Sequence, residues 1–142
     1  MSASNAFETA LLNLVFANVA LSALSIPAST VPGQLYLSLH TADPGEAGTQ
    51  NTSETVYAGY TRIPIIRGVG GWTVAGATAT NAIAVDFPGC TSGSHNITHF
   101  GIGTTVSGAT FLMFSGTLTT PLTVTANIIP SFGIGSLVVT VD

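Results

Sequence analysis

The stretch Leu35-Tyr36-Leu37-Ser38-Leu39-His40 decides the fold class that the sequence predicts. Its three leucines alternate with more polar residues, and this period of two places them on one face of a half-buried β-strand. The next residues, Asp43-Pro44-Gly45, form a turn signal, because proline fixes φ and glycine tolerates positive φ. The run from Thr41 to Thr55 is rich in Gly, Thr, Ser and Asn, and it is predicted to be a polar loop.

The rest of the chain repeats the pattern of short strands bounded by Gly, Pro, Ser or Asn. Pro64 indicates that one of these strands lies at an edge or a bulge. Ile83, Val85 and Phe87 are predicted to share one face of another strand, at residues 78–87. Several short strands after a single helix predict an all-β fold, a β-sandwich of jelly-roll-like type. The further strand candidates are residues 60–66, 72–75, 78–87, 97–103, 110–118, 122–129 and 137–141.

The N-terminal part predicts one short helix, at about residues 5–18. Asn5 can cap it, with Glu8 completing a pair that resembles a capping box. An apolar connection follows at about residues 19–32, and residues 1–142 are predicted to form a single domain. The apolar residues that recur at helical spacing are Phe7, Leu11, Leu14 and Val15.

The composition is unusually poor in charge. Only 6% of the 142 residues are charged while 46% are hydrophobic, and lysine is absent. A soluble monomer normally carries about a quarter charged residues, which keep it hydrated and discourage self-association. We therefore expect much of this surface to be covered by copies of the same chain or by a larger assembly.

Several classes of partner are disfavoured by the same composition. The net charge is −4, and Arg62 and Arg67 are too few to neutralise the phosphates of a nucleic acid. The apolar stretch 10–26 is interrupted by Asn and Ser and falls short of the roughly 20 residues of a bilayer span. Cys90 is a lone cysteine, so it offers neither a disulfide nor a thiol pair for a metal.

Candidate catalytic residues are sparse. His40 closes a strand just before Asp43 and Glu46, where a metal or a general base could be built, although Asp-Pro-Gly is commonly only a turn. His95 and His99 lie four apart in a strand context, without the three or four convergent ligands that zinc requires. We expect no enzyme activity, cofactor or metal, and a small hydrolase that uses His40 with Asp43 remains a remote alternative.

The chain resembles a family of small tailed-bacteriophage virion proteins, variously labelled tail fibre protein or head decoration (cement) protein. The strand and loop at 35–48 are the most specific part of the resemblance. The segments that carry it are residues 5–8 with Leu11, Leu12 and Phe16, residues 35–48, 59–62, 81–82, 87–88, 98–102 and 115–118, and Pro121.

The resemblance implies a virion structural protein with no catalytic motif. Together with the charge-poor composition, it favours a capsid cement protein on the phage head surface, a homo-oligomer that bridges subunits of the major capsid protein. The alternative is a tail-fibre or tail-tip module that contacts the host through exposed aromatic residues. The interface candidates are Phe7, Leu11, Leu14, Val15, Asp43, Pro44, Glu46, Tyr57, Tyr60, Arg62 and Trp72.

Overall fold

A computed structural model describes residues 2–31 and 33–141 of the chain. Strands make up 38% of the structure and helix 11%, in three antiparallel sheets and one short α-helix within these residues. The predicted all-β class with a short N-terminal helix is confirmed and is consistent with a β-sandwich, while jelly-roll connectivity stays a prediction. The elements in chain order are α1 (Asn5–Phe16), a 3-10 turn (Ser22–Leu24), β1 (Gln34–His40), β2 (Ile63–Ile66), β3 (Trp72–Ala75), β4 (Thr78–Asn81), β5 (Val85–Asp86), β6 (Ser94–Gly103), β7 (Leu112–Thr125), β8 (Ser131–Phe132) and β9 (Val138–Thr140).

The chain divides into two compact units, each built from separate segments of sequence. The first unit consists of residues 1–34, 66–85 and 132–142, and the second consists of residues 35–65 and 86–131. The single domain expected for residues 1–142 stays a prediction.

Helix α1 begins at Asn5, as the sequence predicts, but its N-cap lies one residue earlier than expected and it ends two residues sooner. Ser4, not Asn5, is the N-cap, and its hydroxyl oxygen accepts a hydrogen bond from the Phe7 amide at 3.4 Å. At the other end, Asn18 has a left-handed φ of 55°, a conformation that commonly terminates helices. The backbone amide of Val19 donates a hydrogen bond to the carbonyl of Asn13 at 3.0 Å, and the helix ends at Phe16.

The buried side of α1 is formed by a line of residues one turn apart. Glu8, Leu12 and Phe16 are buried at spacings of four residues. The acidic Glu8 lies within this line, so apolar spacing alone does not reveal it. The apolar residues at helical spacing that were predicted as interface candidates do not form this buried line: the first is 44% exposed and the others are half-buried, namely Phe7, Leu11, Leu14 and Val15.

The core of the first unit is formed between α1 and a three-stranded sheet of order β3-β4-β9. The ring of Phe16 meets the ring of Trp72 edge to face, with centroids 4.6 Å apart. Trp72 is 1% exposed, and Ala79 and Val139 pair across the sheet on the same buried face. A residue as large as Trp72 buries enough apolar surface to dominate a core of this size.

Asn81 explains why the predicted strand 78–87 is broken. Its side-chain amide donates to the carbonyls of Ile83 and Gly133 at 2.7 and 2.8 Å, and its oxygen accepts from the Leu137 amide at 2.9 Å. These bonds replace strand pairing with side-chain contacts, so β4 ends at Asn81. Three apolar residues were expected on one face of this strand. Val85 and Phe87 are buried, whereas Ile83 is 42% exposed.

The second unit is built on a four-stranded sheet of order β2-β1-β6-β7. The leucines of β1 are at most 4% exposed, as predicted, but Ser38 and His40 on the opposite face are fully buried as well. Strand β1 is therefore covered on both sides, unlike the half-buried strand that was expected. Pro64 lies in the edge strand β2, which confirms its predicted position.

The two strands predicted at 110–118 and 122–129 form one edge strand, β7. Its pairing with β6 shifts register between Ile97 and His99, where extra residues of β7 are accommodated, and Pro121 lies within that irregular part. Proline is tolerated here because an edge strand needs ladder hydrogen bonds on one side only. Pro121, which the sequence suggests as a break between two strands, therefore lies in a bulge of one continuous strand.

The two phenylalanines of α1 allow a matched test of this packing. We expect Phe16→Ala to lower the free energy of unfolding by about 3–5 kcal/mol, because it opens a cavity beside Trp72. Phe7→Ala, on the exposed side of the same helix, should cost less than about 1 kcal/mol. Urea unfolding followed by the fluorescence of Trp72, the single tryptophan, measures both. Equal losses for the two variants would contradict the assigned helix face.

Candidate interaction surfaces

The loop that follows β1 is folded over one face of the sheet and is held there by buried polar groups. Gln50 is fully buried; its side-chain amide donates to the carbonyl of Tyr36 at 2.8 Å, and its backbone amide donates to the carbonyl of Thr110 at 2.9 Å. The Thr55 amide donates to the carbonyl of Leu39 at 2.9 Å and returns the chain to β1. The loop is polar, as predicted, yet part of it is core.

His40 is the innermost polar residue of this layer. Its Nδ1 lies 2.8 Å from the carbonyl oxygen of Thr52, which can only accept, so Nδ1 carries the proton. Its Nε2 then accepts from the Ser38 hydroxyl at 2.9 Å. A Cβ at Gly101 would lie 2.6 Å from this Nε2, which explains a glycine on the neighbouring strand. Burial lowers the pKa of His40 below its usual 6.5, partly offset by the bond to Thr52, so the ring is neutral near pH 7.

The proposed pairing of His40 with Asp43 in a hydrolase is wrong. His40 is fully buried, and its two ring nitrogens bond to Thr52 and Ser38. The carboxylate of Asp43 instead accepts from the Gly45 amide at 2.9 Å within the turn. A general base must reach the proton that it removes, and this imidazole does not reach solvent.

The tip of the loop presents two carboxylates. Asp43 and Glu46 are exposed, whereas Pro44 between them is buried, and Gly45 adopts a φ of +70° that only glycine takes without strain. The tip forms one wall of a groove of about 390 Å³ whose other wall is the beginning of β7. The groove is lined by Asp43, Gly45, Glu46, Gly48, Leu112, Met113, Phe114 and Ser115.

Arg62 is buried in an ion pair and is not a surface contact. Two of its nitrogens, Nε and Nη2, each donate to a carboxylate oxygen of Glu54 at 2.7 Å. Its remaining donors reach the carbonyls of Thr105 and Gly108 at 3.1 and 2.9 Å, so the pair ties the loop at 104–110 to the rest of the unit. Arg62 was predicted as an interface residue, but only 2% of its side chain is exposed.

Tyr60 completes this cluster. Its hydroxyl donates to Glu54 Oε1 at 2.7 Å and accepts from the Leu39 amide at 3.1 Å. Burial, the largest cause, raises the pKa of Tyr60 far above its usual value. The ring is half-buried and stacks against Phe87 at a centroid distance of 6.0 Å.

Tyr57 and Trp72, which the tail-tip alternative would use as exposed contacts for a host molecule, are buried. They are 2% and 1% exposed, respectively. The Tyr57 hydroxyl donates to the Pro88 carbonyl at 2.9 Å, and burial raises its pKa to about 12. A glycine-rich context does not distinguish a buried aromatic anchor from an exposed platform, so the sequence leaves both readings open.

Sequence reasoning identified only some of the exposed apolar residues of the first unit: Phe7 as an interface candidate, and the residues of the apolar connection at about 19–32. Their charged neighbours are few: among the described residues of this unit only Glu8 and Arg67 are charged. Glu8 is 6% exposed, and the guanidinium of Arg67 donates to the carbonyls of Leu14 and Val15 at the end of α1. The large apolar side chains exposed on this unit are Phe7, Val19, Leu24, Ile26, Val31, Ile66, Val69, Ile83, Ile134 and Val138.

Other kinds of site are not evident in the part of the chain that the structure describes. No group of three or more His, Cys, Asp and Glu side chains gathers there as a metal site. His95 and His99 bond instead to the hydroxyls of Thr55, Thr98 and Thr117. Within residues 2–31 and 33–141, helices also fall short of the length and apolarity of a membrane span.

The Glu54–Arg62 pair gives a prediction about stability. Glu54→Gln leaves a buried guanidinium without its counter-charge, and we expect a loss of about 3–5 kcal/mol in the free energy of unfolding. Glu46→Gln is the matched control, because that carboxylate is exposed at the loop tip, and it should change stability by less than about 0.5 kcal/mol. Urea unfolding followed by circular dichroism measures both. A loss below about 1 kcal/mol for Glu54→Gln would contradict a tightly coupled pair.

The buried His40 gives a prediction about pH. Its pKa is lowered in the folded chain, so unfolding at acidic pH lets the ring take up a proton that the folded state resists. The stability that His40 contributes is complete above its usual pKa of 6.5 and is lost as the pH falls below that value. We expect the wild type to lose stability between pH 7.5 and pH 5.5, and His40→Gln to lose less over the same interval. Urea unfolding at each pH measures both proteins, and identical slopes for the wild type and His40→Gln would contradict this role of His40.

Comparison with known proteins identifies the family. Residues 2–140 match the sequence profile of a family described as Podophage GP4 fiber I protein gp80. No curated protein matches the chain. The profile covers both units and nearly the whole length, and it confirms the resemblance to small tailed-phage virion proteins. The chain therefore belongs to the Podophage GP4 fiber I protein gp80 family, a family of phage fibre-type virion proteins.

Proposed function

We propose that the chain is a structural component of a phage tail fibre that acts by binding neighbouring virion subunits. The observation that carries this proposal is the match of residues 2–140 to a fibre protein family. The neutral, enclosed His40 adds support, because the residue best placed for catalysis in the sequence is committed to holding the loop at 41–55 in place.

The surface of the first unit supports assembly as its mode of action. Its exposed apolar side chains include Val31, Val69 and Ile134, which are 73%, 91% and 72% exposed. Burying apolar surface is favourable by about 25 cal/mol per Å². Glu8 is buried, and the half-buried Arg67 donates to the Val15 carbonyl, so covering this surface desolvates little charge among the described residues. Contact with a second neutral surface therefore costs little free energy of desolvation.

Copies of the same chain are the simplest partner for this neutral surface. A second copy presents the same apolar residues, and a symmetric pair needs no complementary charge. We infer that the protein is a homo-oligomer and that α1 and the connection 19–31 supply the contacts. Phe7 lies on this surface, while Leu11, Leu14 and Val15 contribute only their half-exposed parts.

A capsid cement role is the second candidate, with the major capsid protein as partner. A charge-poor surface that favours association would serve on a head lattice as well as in a fibre. The fibre role is preferred because the family description names a fibre protein.

Location and copy number in the virion separate the two roles. We expect antibody against the chain to label the tail in electron micrographs, and quantitative mass spectrometry to find far fewer copies than of the major capsid protein. Particles that lack the chain serve as the labelling control. Head labelling, with a copy number comparable to that of the major capsid protein and earlier thermal release of DNA without the chain, would support the cement role and overturn the fibre role.

A further inference from the structure

The segment that follows α1 stands away from the first unit, and residues 18–31 are called the arm below. Every residue from Ser22 to Val31 is exposed, and between Val19 and Val31 only Leu21 is buried. A segment that lies along its own fold buries some of its side chains. An unbroken run of exposed residues therefore marks a projection that Leu21 anchors at its base.

Two pairs of hydrogen bonds close the arm on itself. The backbone amides of Leu21 and Ile26 donate to each other's carbonyls at 2.9 and 3.2 Å. Nearer to the helix, Nδ2 of Asn18 donates to the Ser29 carbonyl at 2.9 Å, and Oδ1 of Asn18 accepts from the Ser29 amide at 3.0 Å. The arm thus has a defined shape before it meets a partner, so binding costs it little conformational entropy.

The exposed side chains of the arm are apolar and uncharged. Residues 9–39 contain no Asp, Glu, Lys, Arg or His. A charged partner surface would lose hydration against the arm without gaining a counter-charge, which is unfavourable. The surface that complements the arm is therefore neutral and apolar. The large apolar side chains of the arm are 40–73% exposed, namely Val19, Leu24, Ile26 and Val31.

One flank of α1 is a surface of this kind. Residues three and four apart on a helix are neighbours, so the apolar residues that recur at this spacing share one flank, beside the buried line of the helix. The arm of the same chain leaves this flank uncovered, because the arm is itself exposed along its length. A second copy brings both a free arm and a free flank. The flank consists of Phe7, which is 44% exposed, and the half-buried Leu11, Leu14 and Val15.

We propose that two copies of the chain clasp each other, with the arm of each copy packed on the α1 flank of the other. A symmetric pair makes this contact twice, and each contact brings uncharged apolar side chains together. Leu24, in the 3-10 turn of the arm, and Phe7 on the helix are the central residues of the contact. The pairing deepens the self-association proposed above and rests on it.

Sedimentation velocity of the isolated full chain over a range of concentrations tests the arm. We expect the wild type to form a dimer, and Leu24→Asp to weaken dimerisation at least about thirty-fold, because each contact then buries an unpaired carboxylate. Val106→Asp is the matched control, since Val106 is 54% exposed on a loop of the second unit and Leu24 is 59% exposed. It should dimerise like the wild type.

Mixing two variants tests whether the arm meets the helix. Phe7→Asp places a carboxylate in the first turn of α1, where the helix dipole favours it, so the helix should form and dimerisation should be weak. A mixed pair of Phe7→Asp with Leu24→Asp keeps one unaltered contact, between the arm of the first variant and the helix of the second. We expect an equimolar mixture to dimerise more tightly than either variant alone.

Asn18→Gly tests whether closure of the arm matters. Asn18 has a φ of 55°, which glycine adopts without strain, so this variant removes the two side-chain hydrogen bonds and keeps the backbone conformation. We expect faster hydrogen exchange at the amides of Leu21 and Ile26, and dimerisation weakened about three- to ten-fold. Unchanged exchange and unchanged dimerisation would remove Asn18 as the residue that positions the arm.

The possible failures are distinguishable. A wild type that stays monomeric overturns the clasp and the homo-oligomer together. A dimeric wild type in which Leu24→Asp and Val106→Asp behave alike, or in which the mixture dimerises no better than its components, overturns the clasp and leaves the homo-oligomer in place. Because these measurements use no virion, a head location would remove the fibre role and leave their results unchanged.

Discussion

The commitment of both arginines inside the fold is the constraint on which the rest of this structure depends. With no lysine in the chain, Arg62 and Arg67 are its whole supply of permanent positive charge. Arg62 is used to hold the loop at 104–110 against Glu54, and Arg67 is used to satisfy the last carbonyls of α1. The described surface is consequently neutral over most of its extent, and its exposed charges are carboxylates.

The buried polar groups around β1 are likewise held by partners inside the fold. Both faces of this strand are buried, so Ser38 and His40 must find partners within the protein. The loop at 41–55 supplies them through the Thr52 carbonyl, and Gln50 fastens the loop to Tyr36. A loop held in this way is ordered by the fold itself, so its tip at Asp43 and Glu46 is fixed relative to the sheet of the second unit.

The sequence predicts the parts of this fold in which periodicity and burial agree. The leucines of β1, the strand at 72–75 and the edge position of Pro64 follow from period two and from the missing amide of proline. The prediction was wrong where one polar side chain interrupts the apolar pattern. Glu8 lies within the buried line of α1, and the side-chain hydrogen bonds of Asn81 end strand β4. The burial of Arg62 and Tyr57 was missed because each depends on a partner distant in sequence, the carbonyls of Thr105 and Pro88 among them.

The candidate surfaces were predictable only in part for the same reason. Asp43 and Glu46 are visible in the sequence as a turn, but the strand edge beside them appears only once β7 is paired with β6. The exposed side chains of the two units differ in chemistry: the first unit exposes many large apolar side chains, and the second exposes the carboxylates of Asp43, Glu46 and Asp86. Apolar association is strengthened by salts that are excluded from protein surfaces, whereas exposed ion pairs are screened by salt. Association through the apolar side chains of the first unit would therefore respond to such salts in the opposite direction from contacts made by the exposed carboxylates of the second unit.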